Sequence, residues 1–296
     1  MHPDYARSLA EFGVPSPLPR SGGWILRRRI PGCPDEDGMG CYPLFACRDW
    51  SLLPADLENL RGDLVALSLV ADPFGQFDVP QLRECFDVVI PYKSHFVVDL
   101  QESPDRIVSK HHRYEARRAL RQINVERCAD PGEFLDEWVR LYANLIEKHH
   151  VTGIRAFSRA VFERQLPIPG AVLLRAVYKG ETVGADWYFV QAGVAYSHLA
   201  AFAPAGYGLG AAYALMWSAI HDLRGEARWM DLGGSAGVTE GARDGLARFK
   251  RGWSTGMRTA YFCGSILDRR KYERLAEAKG REGTPYFPAY REGEFR

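Results

Sequence analysis

Three polar side chains lie in two otherwise apolar segments near the middle of the chain, and their chemistry suits proton transfer. His198 follows Tyr196 by two residues in VAYSHLAAF, so both side chains point to one face of a strand. Imidazole titrates near neutral pH and is a natural general base. Asp186 lies in VGADWYFV, where a carboxylate is costly unless it is paired or functional. The pattern predicts catalysis by His198, or else Asp186, with Tyr196 beside them; the alternative is a core histidine bonded to a backbone carbonyl.

A glycine-rich segment, AGYGLGAAYAL, follows these strands and opens an apolar helix. Glycine lets the backbone come close to a ligand and adopt unusual dihedral angles. The first N–H groups of a helix lack intrahelical partners and carry a partial positive charge, which suits phosphate. No Lys-Ser or Lys-Thr pair follows, so the segment is not a Walker A loop. The predicted anion-binding residues are Gly206, Gly208, Leu209, Gly210 and Ala211; a tight turn without a ligand is the alternative.

The segment SKHHRYEARRALRQ predicts a basic helix that begins after Ser109. Arg113, Arg117 and Arg121 recur at i, i+4 and i+8, so three like charges share one face and repel by roughly a few tenths of a kcal/mol per pair. Together with Lys110 they predict a site for a phosphate, a nucleotide sugar or a tRNA backbone. The alternative is a solvated helix face whose charges pair with acidic residues elsewhere in the chain.

The segment DGLARFKRGW places a lysine and an arginine between two aromatic residues at the end of a short helix. Lys250 can hold a phosphate or stabilise an oxyanion there, and Phe249 can line the same site. The alternative is a lysine that complements the helix dipole. Asp231 ends the short strand RWMD before two glycines, and it is a further candidate for binding the substrate or an anion.

Composition and charge exclude several classes of protein. The chain has 296 residues, 46% hydrophobic and 25% charged, which is enough for one large globular domain or two modest ones. The 38 basic and 37 acidic residues nearly cancel, so an extended nucleic-acid surface is not expected. The six cysteines form no C-x-x-C pair, and the adjacent pairs His111–His112 and His149–His150 point to different helix faces, so we expect no metal site. No signal peptide or membrane span is recognisable, which favours a cytoplasmic protein with reduced thiols.

The order of predicted elements indicates an α+β fold. Three strands joined by the hairpin segments KGET and QAG lead through the glycine turn into a long helix, followed by a strand, a short helix and a last strand. This order predicts a mixed sheet with helices on both faces. The first half of the chain has strands in Pro/Gly-rich surroundings but no comparable glycine turn.

The antiparallel meander followed by a Gly-x-Gly-x-Gly turn is similar to the acyl-CoA motif of the GNAT N-acyltransferase superfamily. In that family the N–H groups of the loop hold the pyrophosphate of coenzyme A. The segment LARFKRGW also resembles a family segment, with Ala247, Phe249, Gly252 and Trp253 at the matching positions. The resemblance implies that an aromatic residue of this segment packs near the thiol end of the cosubstrate.

The chain resembles the Fem-type peptidyltransferase branch of this superfamily more closely, because SKHHRYEARRAL, AYSHLAAF, DLGG and GLARFK occur in that branch's order over about residues 90–265. That branch fuses two GNAT-like domains, the first of them degenerate. The resemblance implies a degenerate domain over residues 1–108, an acyltransferase domain over 109–275 and a tail over 276–296. Each domain is expected to be a mixed, mostly antiparallel sheet flanked by helices.

We therefore expect an enzyme that transfers an acyl group from acyl-CoA to an amine of a sugar, amino acid or peptide by direct attack. The cosubstrate is not tightly bound, and no covalent acyl-enzyme is required once the two reactants are held together. One alternative is Fem-type peptide-bond formation with aminoacyl-tRNA. A second alternative is a binding scaffold without catalytic activity.

Overall fold

The computed structural model describes residues 2–235 and 245–294. The chain folds as two compact units, Met1–Tyr92 with Thr259–Arg296 (unit 1) and Lys93–Arg258 (unit 2). These limits do not coincide with the predicted domain boundaries at residues 108 and 275, because the last strand and the tail return to unit 1. The expected α+β fold with mostly antiparallel sheet and flanking helices is confirmed.

The described residues contain the following α-helices: α1 (Pro3–Ser8), α2 (Leu53–Asn59), α3 (Val79–Cys85), α4 (Pro104–Ile107), α5 (Lys110–Leu120), α6 (Leu135–His149), α7 (Arg159–Gln165), α8 (Pro204–Leu209), α9 (Ala211–Asp222), α10 (Gly245–Arg251) and α11 (Arg269–Ala278). Their strands are β1 (Val14–Leu18), β2 (Gly23–Arg29), β3 (Glu36–Gly40), β4 (Ala66–Ala71), β5 (Val88–Asp99), β6 (Asn124–Arg127), β7 (Ala171–Tyr178), β8 (Glu181–Gln191), β9 (Val194–Phe202), β10 (Trp229–Asp231) and β11 (Gly256–Ile266).

Unit 1 contains the strand order β1-β2-β3-β4-β11, in which β3 and β4 are parallel and the other neighbours antiparallel. The sequence analysis missed β3, because its glycines and acidic residues were interpreted as a loop. Its glycines serve packing instead. A Cβ at Gly38 would lie 2.8 Å from Leu67 Cδ1, and one at Gly40 would lie 2.6 Å from Leu69 Cβ.

The C-terminal segment of unit 1 is tied down by a buried charge. A 3₁₀ turn (Ala289–Arg291) carries Arg291 against Asp37 on β3, with Nη2 2.9 Å from Oδ1 and Nε also donating to the carboxylate. Asp37 is fully buried, and Tyr290 donates to it at 3.2 Å. Burial raises the pKa of Asp37, and the hydrogen bond and charge of Arg291 oppose that rise. The predicted tail is therefore part of the core of unit 1.

We expect Arg291→Ala to lower the free energy of unfolding by about 3–5 kcal/mol, because the buried Asp37 carboxylate loses its hydrogen-bonded cation and keeps the more distant Arg28, whose Nε lies 3.6 Å away. Denaturant titration at neutral pH measures the loss. Arg274→Ala is the matched control: this exposed arginine pairs with Asp35 at 3.3 Å, and its loss should cost less than about 1 kcal/mol. Equal losses in the two variants would contradict the assigned role of the buried pair.

Unit 2 contains the strand order β5-β10-β9-β8-β7-β6, with β9 and β10 parallel and the other neighbours antiparallel. The predicted meander β7-β8-β9 is confirmed. Its hairpins turn at Lys179–Gly180 and at Ala192–Gly193, all four residues having positive φ. Two successive positive φ values are the mark of a type I′ turn, which matches the twist of antiparallel strands.

Helices cover both faces of the strands of unit 2. Trp187 of β8 contacts Trp138 of α6 and Phe162 of α7, with ring centroids 5.4 and 6.1 Å apart. The next residue, Tyr188, points to the opposite face, where its hydroxyl lies 4.0 Å from the sulfur of Met216 on α9. The sheet of unit 2 thus has an α6/α7 face and an α5/α9 face, and the larger core lies on the second.

Candidate active site

The parallel pairing of β9 with β10 extends over only three residue pairs, so the two strands separate near the candidate site. The two strands pair at Trp229–Val194, Met230–Ala195 and Asp231–Tyr196. β10 ends there, whereas β9 continues to Phe202. Gly233 has a positive φ of 74° and turns the chain away after β10. The two strands therefore diverge beyond Asp231, and the later part of β9 lies next to α8, which leads into α9.

The loop after β10, residues 232–235, is held by charged side chains. Asp231 accepts the N–H of Gly233 at 2.7 Å and contacts Nδ1 of His95 through both oxygens, at 2.9 and 3.0 Å. Lys250 donates from α10 to the carbonyl oxygen of Gly234 at 2.6 Å. Lys93 donates to the carbonyl oxygen of Ser235 at 3.2 Å. Two ammonium groups and a buried histidine–aspartate pair thus surround four loop residues.

The sequence analysis missed His95. It lies in a segment that was interpreted only as a strand, and its partner is 136 residues away. A signal was nevertheless present in KSHFVVDL, where His95 directly precedes a strand whose alternate residues Phe96 and Val98 point into the core. Asp231, which was expected to shape the turn and was a candidate for ligand binding, does shape the turn and also orients this imidazole.

Helix α10 packs its aromatic residues against α5 and α9. Phe249 and Trp253 contact the ring of His112 at 5.6 and 5.0 Å, and both contact Tyr213 in the first turn of α9. Nε2 of His112 lies 2.9 Å from the carbonyl oxygen of Phe249. Desolvation lowers the pKa of His112. Phe249 is thus next to the α9 N-terminus, and its predicted contact with a cosubstrate stays a prediction.

Gly252 follows this helix for a steric reason: a Cβ there would lie 2.2–2.5 Å from atoms of the His112 imidazole. Arg251 points to another ring, with its guanidinium carbon 5.7 Å from the centre of Phe96. Ala247 is buried in the core of unit 2. Asp244, the first residue of DGLARFKRGW, lies outside the described residues.

The glycine-rich segment differs from the single turn that was expected. It forms the short helix α8 and then α9, which begins at Ala211 after Gly210 in the left-handed conformation with φ of 73°. Gly206 is buried, and a Cβ there would lie 2.0 Å from the carbonyl oxygen of Val183. Gly206 therefore allows α8 to approach β8, and Gly210 allows the chain to turn. Only Gly208 is exposed with open space around its Cα.

The N-terminus of α9 carries no side-chain cap from Gly210. Tyr213 donates the first backbone bond, to the carbonyl oxygen of Gly210 at 3.0 Å, so the N–H groups of Ala211 and Ala212 precede the hydrogen-bonded turn. Leu209 and Gly210 are partly exposed, whereas the Ala211 side chain is buried. The anion-binding geometry that was predicted for this segment therefore starts at Ala211 and not at Gly206.

His198 lies in an aromatic cluster on the α6/α7 face. Its ring stacks on Phe157 at 5.8 Å and meets Trp187 edge-on at 5.2 Å, and Nε2 lies 3.1 Å from the side-chain oxygen of Gln165. Desolvation lowers the pKa of His198 to about 3. An imidazole with that pKa is a weak proton acceptor, so this environment argues against the predicted role of His198 as general base.

Asp186 lies on the opposite, α5/α9 face of the sheet. Its carboxylate is buried and accepts the hydroxyl of Tyr188 at 2.9 Å, with Met216 beyond it. Burial raises the pKa of Asp186 to about 7. The structure therefore separates Asp186 from His198 and Tyr196, which the sequence analysis had grouped. Tyr196 is partly exposed and directly opposite Asp231.

The raised pKa of Asp186 makes stability depend on pH. An acid whose folded-state pKa exceeds its unfolded-state pKa ionises more readily in the unfolded chain. Its ionisation therefore lowers the free energy of unfolding, progressively as the pH rises from about 4 to about 7. We expect Asp186→Asn to match the wild type near pH 4 and to exceed its unfolding free energy above pH 7 by up to about 4 kcal/mol, at about 1.4 kcal/mol per pKa unit.

Denaturant titrations between pH 4 and pH 8 measure this difference. Asp136→Asn removes a carboxylate whose side chain is 85% exposed, and its difference from the wild type should change little over the same range. A difference for Asp186→Asn that is constant with pH would show that the carboxyl is not desolvated in solution.

The predicted basic stripe is partly neutralised within α4 and α5. Arg113 and Arg117 both reach Asp105, at 3.6 and 3.3 Å. Lys110 and Arg121 are exposed. Arg118 pairs with Glu115 at 3.0 Å. Two of the four predicted basic residues, Arg113 and Arg117, thus find an acidic partner nearby, which reduces the support for an extended polyanion site.

Metal sites and membrane spans are two other classes of feature to consider in the described residues. Among residues 2–235 and 245–294, no group of three or more His, Cys, Asp or Glu side chains is arranged to hold a metal ion. In the same part of the chain, every helix is too short or too polar to span a bilayer.

Known proteins share both the family signature of unit 2 and the fold of the chain. Residues 108–251 match the family described as acetyltransferase (GNAT) domain. The whole chain is similar in structure to FemX, with a TM-score of 0.71 and 14% identity over 92% of each chain. It is also similar to the C-terminal domain of a putative lysylphosphatidylglycerol synthetase from Agrobacterium fabrum, with a TM-score of 0.61 and 13% identity over 90% of this chain and 88% of that one.

A third structure, L-PGS from Bacillus licheniformis, matches with a TM-score of 0.55 and 16% identity over 90% of this chain and 93% of that one. No curated protein sequence matches the chain. At these identities the structural likeness shows the fold, and the family match gives the chemistry of the domain. Residues 108–251 of this chain are an acyltransferase domain of the GNAT superfamily, carried in a FemX-like fold.

Proposed function

We propose that this protein transfers an acyl group from acyl-CoA to an amine of a sugar, amino acid or peptide. The observations that carry the proposal are the divergence of β9 from β10 and the way β9 leads through α8 to an N-terminus of α9 that has no side-chain cap. The later part of β9 offers an edge along which an extended donor can lie. The amide groups of Ala211 and Ala212 offer a positive potential to its phosphates.

Three groups are proposed to act on the donor. The N-terminus of α9 holds the pyrophosphate, with Leu209, Gly210 and Ala211 forming the turn. Phe249 lies 5.2 Å from Tyr213 of that helix and lines the path towards the acyl end. Lys250 reaches the carbonyl oxygen of Gly234 at the end of β10 and is placed to oppose the negative charge that develops on the acyl oxygen.

The reaction needs no covalent enzyme intermediate. The neutral amine attacks the thioester carbonyl carbon, a C–N bond forms, the C–S bond breaks, and the thiol leaves with the proton that the amine gives up. Holding amine and thioester together supplies much of the rate enhancement, because it replaces an encounter between two molecules by a reaction within one complex.

Aminoacyl-tRNA is the second candidate donor. Lys110 and Arg121, which are exposed and do not share Asp105 with Arg113 and Arg117, are the observation in its favour. Arg113 and Arg117 already contact Asp105, which argues for the smaller polyanion. A tRNA contact through several phosphates would weaken steeply with salt, whereas the acyl-CoA site uses fewer charges.

A thermal-shift titration with CoA tests the proposed donor. At about one hundred times its Kd a ligand stabilises the native state by about 2.7 kcal/mol, which raises Tm by several degrees. We expect that rise for the wild type and a loss of about tenfold or more in affinity for Gly208→Asp, which adds a negative charge one turn before α9. A Cβ at Gly208 meets no atom within 4 Å, so the fold should tolerate the change.

Gly225→Asp is the matched control, because a Cβ at that glycine also has open space and the same charge is added. It should bind CoA like the wild type. No shift with CoA, together with salt-sensitive aminoacyl-tRNA binding that Lys110→Ala/Arg121→Ala abolishes, would replace the proposed donor by the second candidate. No response to either donor would favour a scaffold and refute the proposal.

A further inference from the structure

We propose that His95 is the general base of this acyltransferase and that Asp231 is its positioning residue. The proposal rests on the proposed acyl transfer to an amine, whichever donor is used. It assigns the proton acceptor, which the environments of His198 and Asp186 do not supply.

The contact between the two side chains determines which nitrogen carries the proton. Both oxygens of Asp231 lie within 3.0 Å of Nδ1 of His95, and one of them also accepts the N–H of Gly233 at 2.7 Å. An ionised carboxylate can only accept hydrogen bonds, so Nδ1 carries the proton and Nε2 keeps its lone pair. The same division of roles between carboxylate and imidazole operates in hydrolase triads.

Burial restricts the movement of the His95–Asp231 pair. His95 is 8% exposed and Asp231 is 2% exposed. Both oxygens of this buried carboxylate contact the same imidazole nitrogen, and one also accepts a backbone N–H, so the carboxylate is held in one orientation. Within residues 2–235 and 245–294, Nε2 of His95 makes no hydrogen bond to the protein, whereas Nε2 of His198 contacts Gln165.

The strand pattern places this pair at the point where β9 and β10 diverge. His95 and Val97 alternate along β5 with Phe96, which points into the core on the α5/α9 face. Asp231 lies opposite Val97 on one side and Tyr196 on the other. His95, Asp231 and Tyr196 therefore share the α6/α7 face, at the end of the paired part of β10.

Other titratable groups around His95 come from three elements. Lys93 lies two residues before it on the same face of β5, Tyr196 lies opposite Asp231 on β9, and Lys250 reaches the loop from α10. His198 lies two residues beyond Tyr196, within its aromatic cluster. The two ammonium groups are bound to carbonyl oxygens of the loop, so Asp231 is the anion in direct contact with the imidazole.

The proposed step is a proton relay. As the C–N bond forms, one proton of the amine passes to Nε2 of His95, and the resulting imidazolium is stabilised by Asp231. The proton then passes to the sulfur of the departing thiolate, or, if the donor is an ester, to the oxygen of the departing alkoxide, which leaves as a hydroxyl group. The imidazole returns to its starting form, and no other reactant is consumed.

Steady-state kinetics with His95→Gln, His95→Gly and Asp231→Asn test the catalytic role. We expect kcat/KM of His95→Gln to fall by about 10²–10⁴-fold, with loss of the acidic limb of its pH profile. Free imidazole should restore part of the activity of His95→Gly, which a merely structural role would not allow.

Asp231→Asn should lower kcat more than it changes KM, because the imidazole is then held in the wrong orientation. His221→Gln, an exposed histidine of α9, is the control and should resemble the wild type.

A second measurement does not depend on activity. Nitrogen NMR of the wild type labelled with ¹⁵N-histidine should show His95 with its proton on Nδ1, and Asp231→Asn should change that tautomer. Thermal melting of each variant confirms that the fold is retained. A wild-type His95 with its proton on Nε2, or a His95→Gln enzyme with wild-type rate and pH profile, would overturn the assignment.

The outcomes separate this inference from the proposed function. Acyl transfer by the wild type, together with an unaffected His95→Gln, keeps the proposed function and refutes the role of His95. Absence of transfer from acyl-CoA and from aminoacyl-tRNA, with the expected tautomer present, refutes the proposed function and reduces the pair to a tie between β5 and β10.

Discussion

The hydrogen bonds of Asp231 are the interaction on which the site depends. This carboxylate satisfies the N–H of Gly233, which the strand would otherwise have offered to a neighbour, and so allows β10 to end after three residues. Its remaining capacity goes to His95. One buried side chain thus ends β10, allows β9 and β10 to diverge and orients the imidazole. Lys250 and Lys93 donate hydrogen bonds to the loop that follows.

Glycines of the acyltransferase domain illustrate how one residue type meets different constraints. Gly210 supplies a positive φ between two helices, whereas Gly206 and Gly252 supply space for the Val183 carbonyl and the His112 ring. The sequence shows all of these as breaks in a helical pattern. The conformational and the steric reasons differ physically, because the first concerns the backbone of the glycine itself and the second concerns a neighbour that is distant in sequence.

Much of the acyltransferase unit could be predicted from the sequence. The meander β7-β8-β9, the helix after Ser109 and the helix of LARFK all form where strand alternation, turn residues and capping placed them. The elements that were missed, such as β3, have compositions typical of loops, and their partners on neighbouring strands override local preference. In the candidate site, Lys250 and Asp231, both candidates from the sequence, lie at the loop after β10, whereas His198 and Asp186, which were alternative candidates for the base, lie on opposite faces of the sheet.

By itself the sequence determined the features that depend on neighbouring residues: period-two strands, the two hairpins, the Ser109 cap and the family-like segments. The tertiary structure alone decided which charges meet. Asp231 meets His95 across 136 residues, and Asp37 meets Arg291 across 254. The physical reason is that propensity and periodicity act over a few residues, whereas burial of a charge demands a partner that strand pairing can bring from anywhere in the chain.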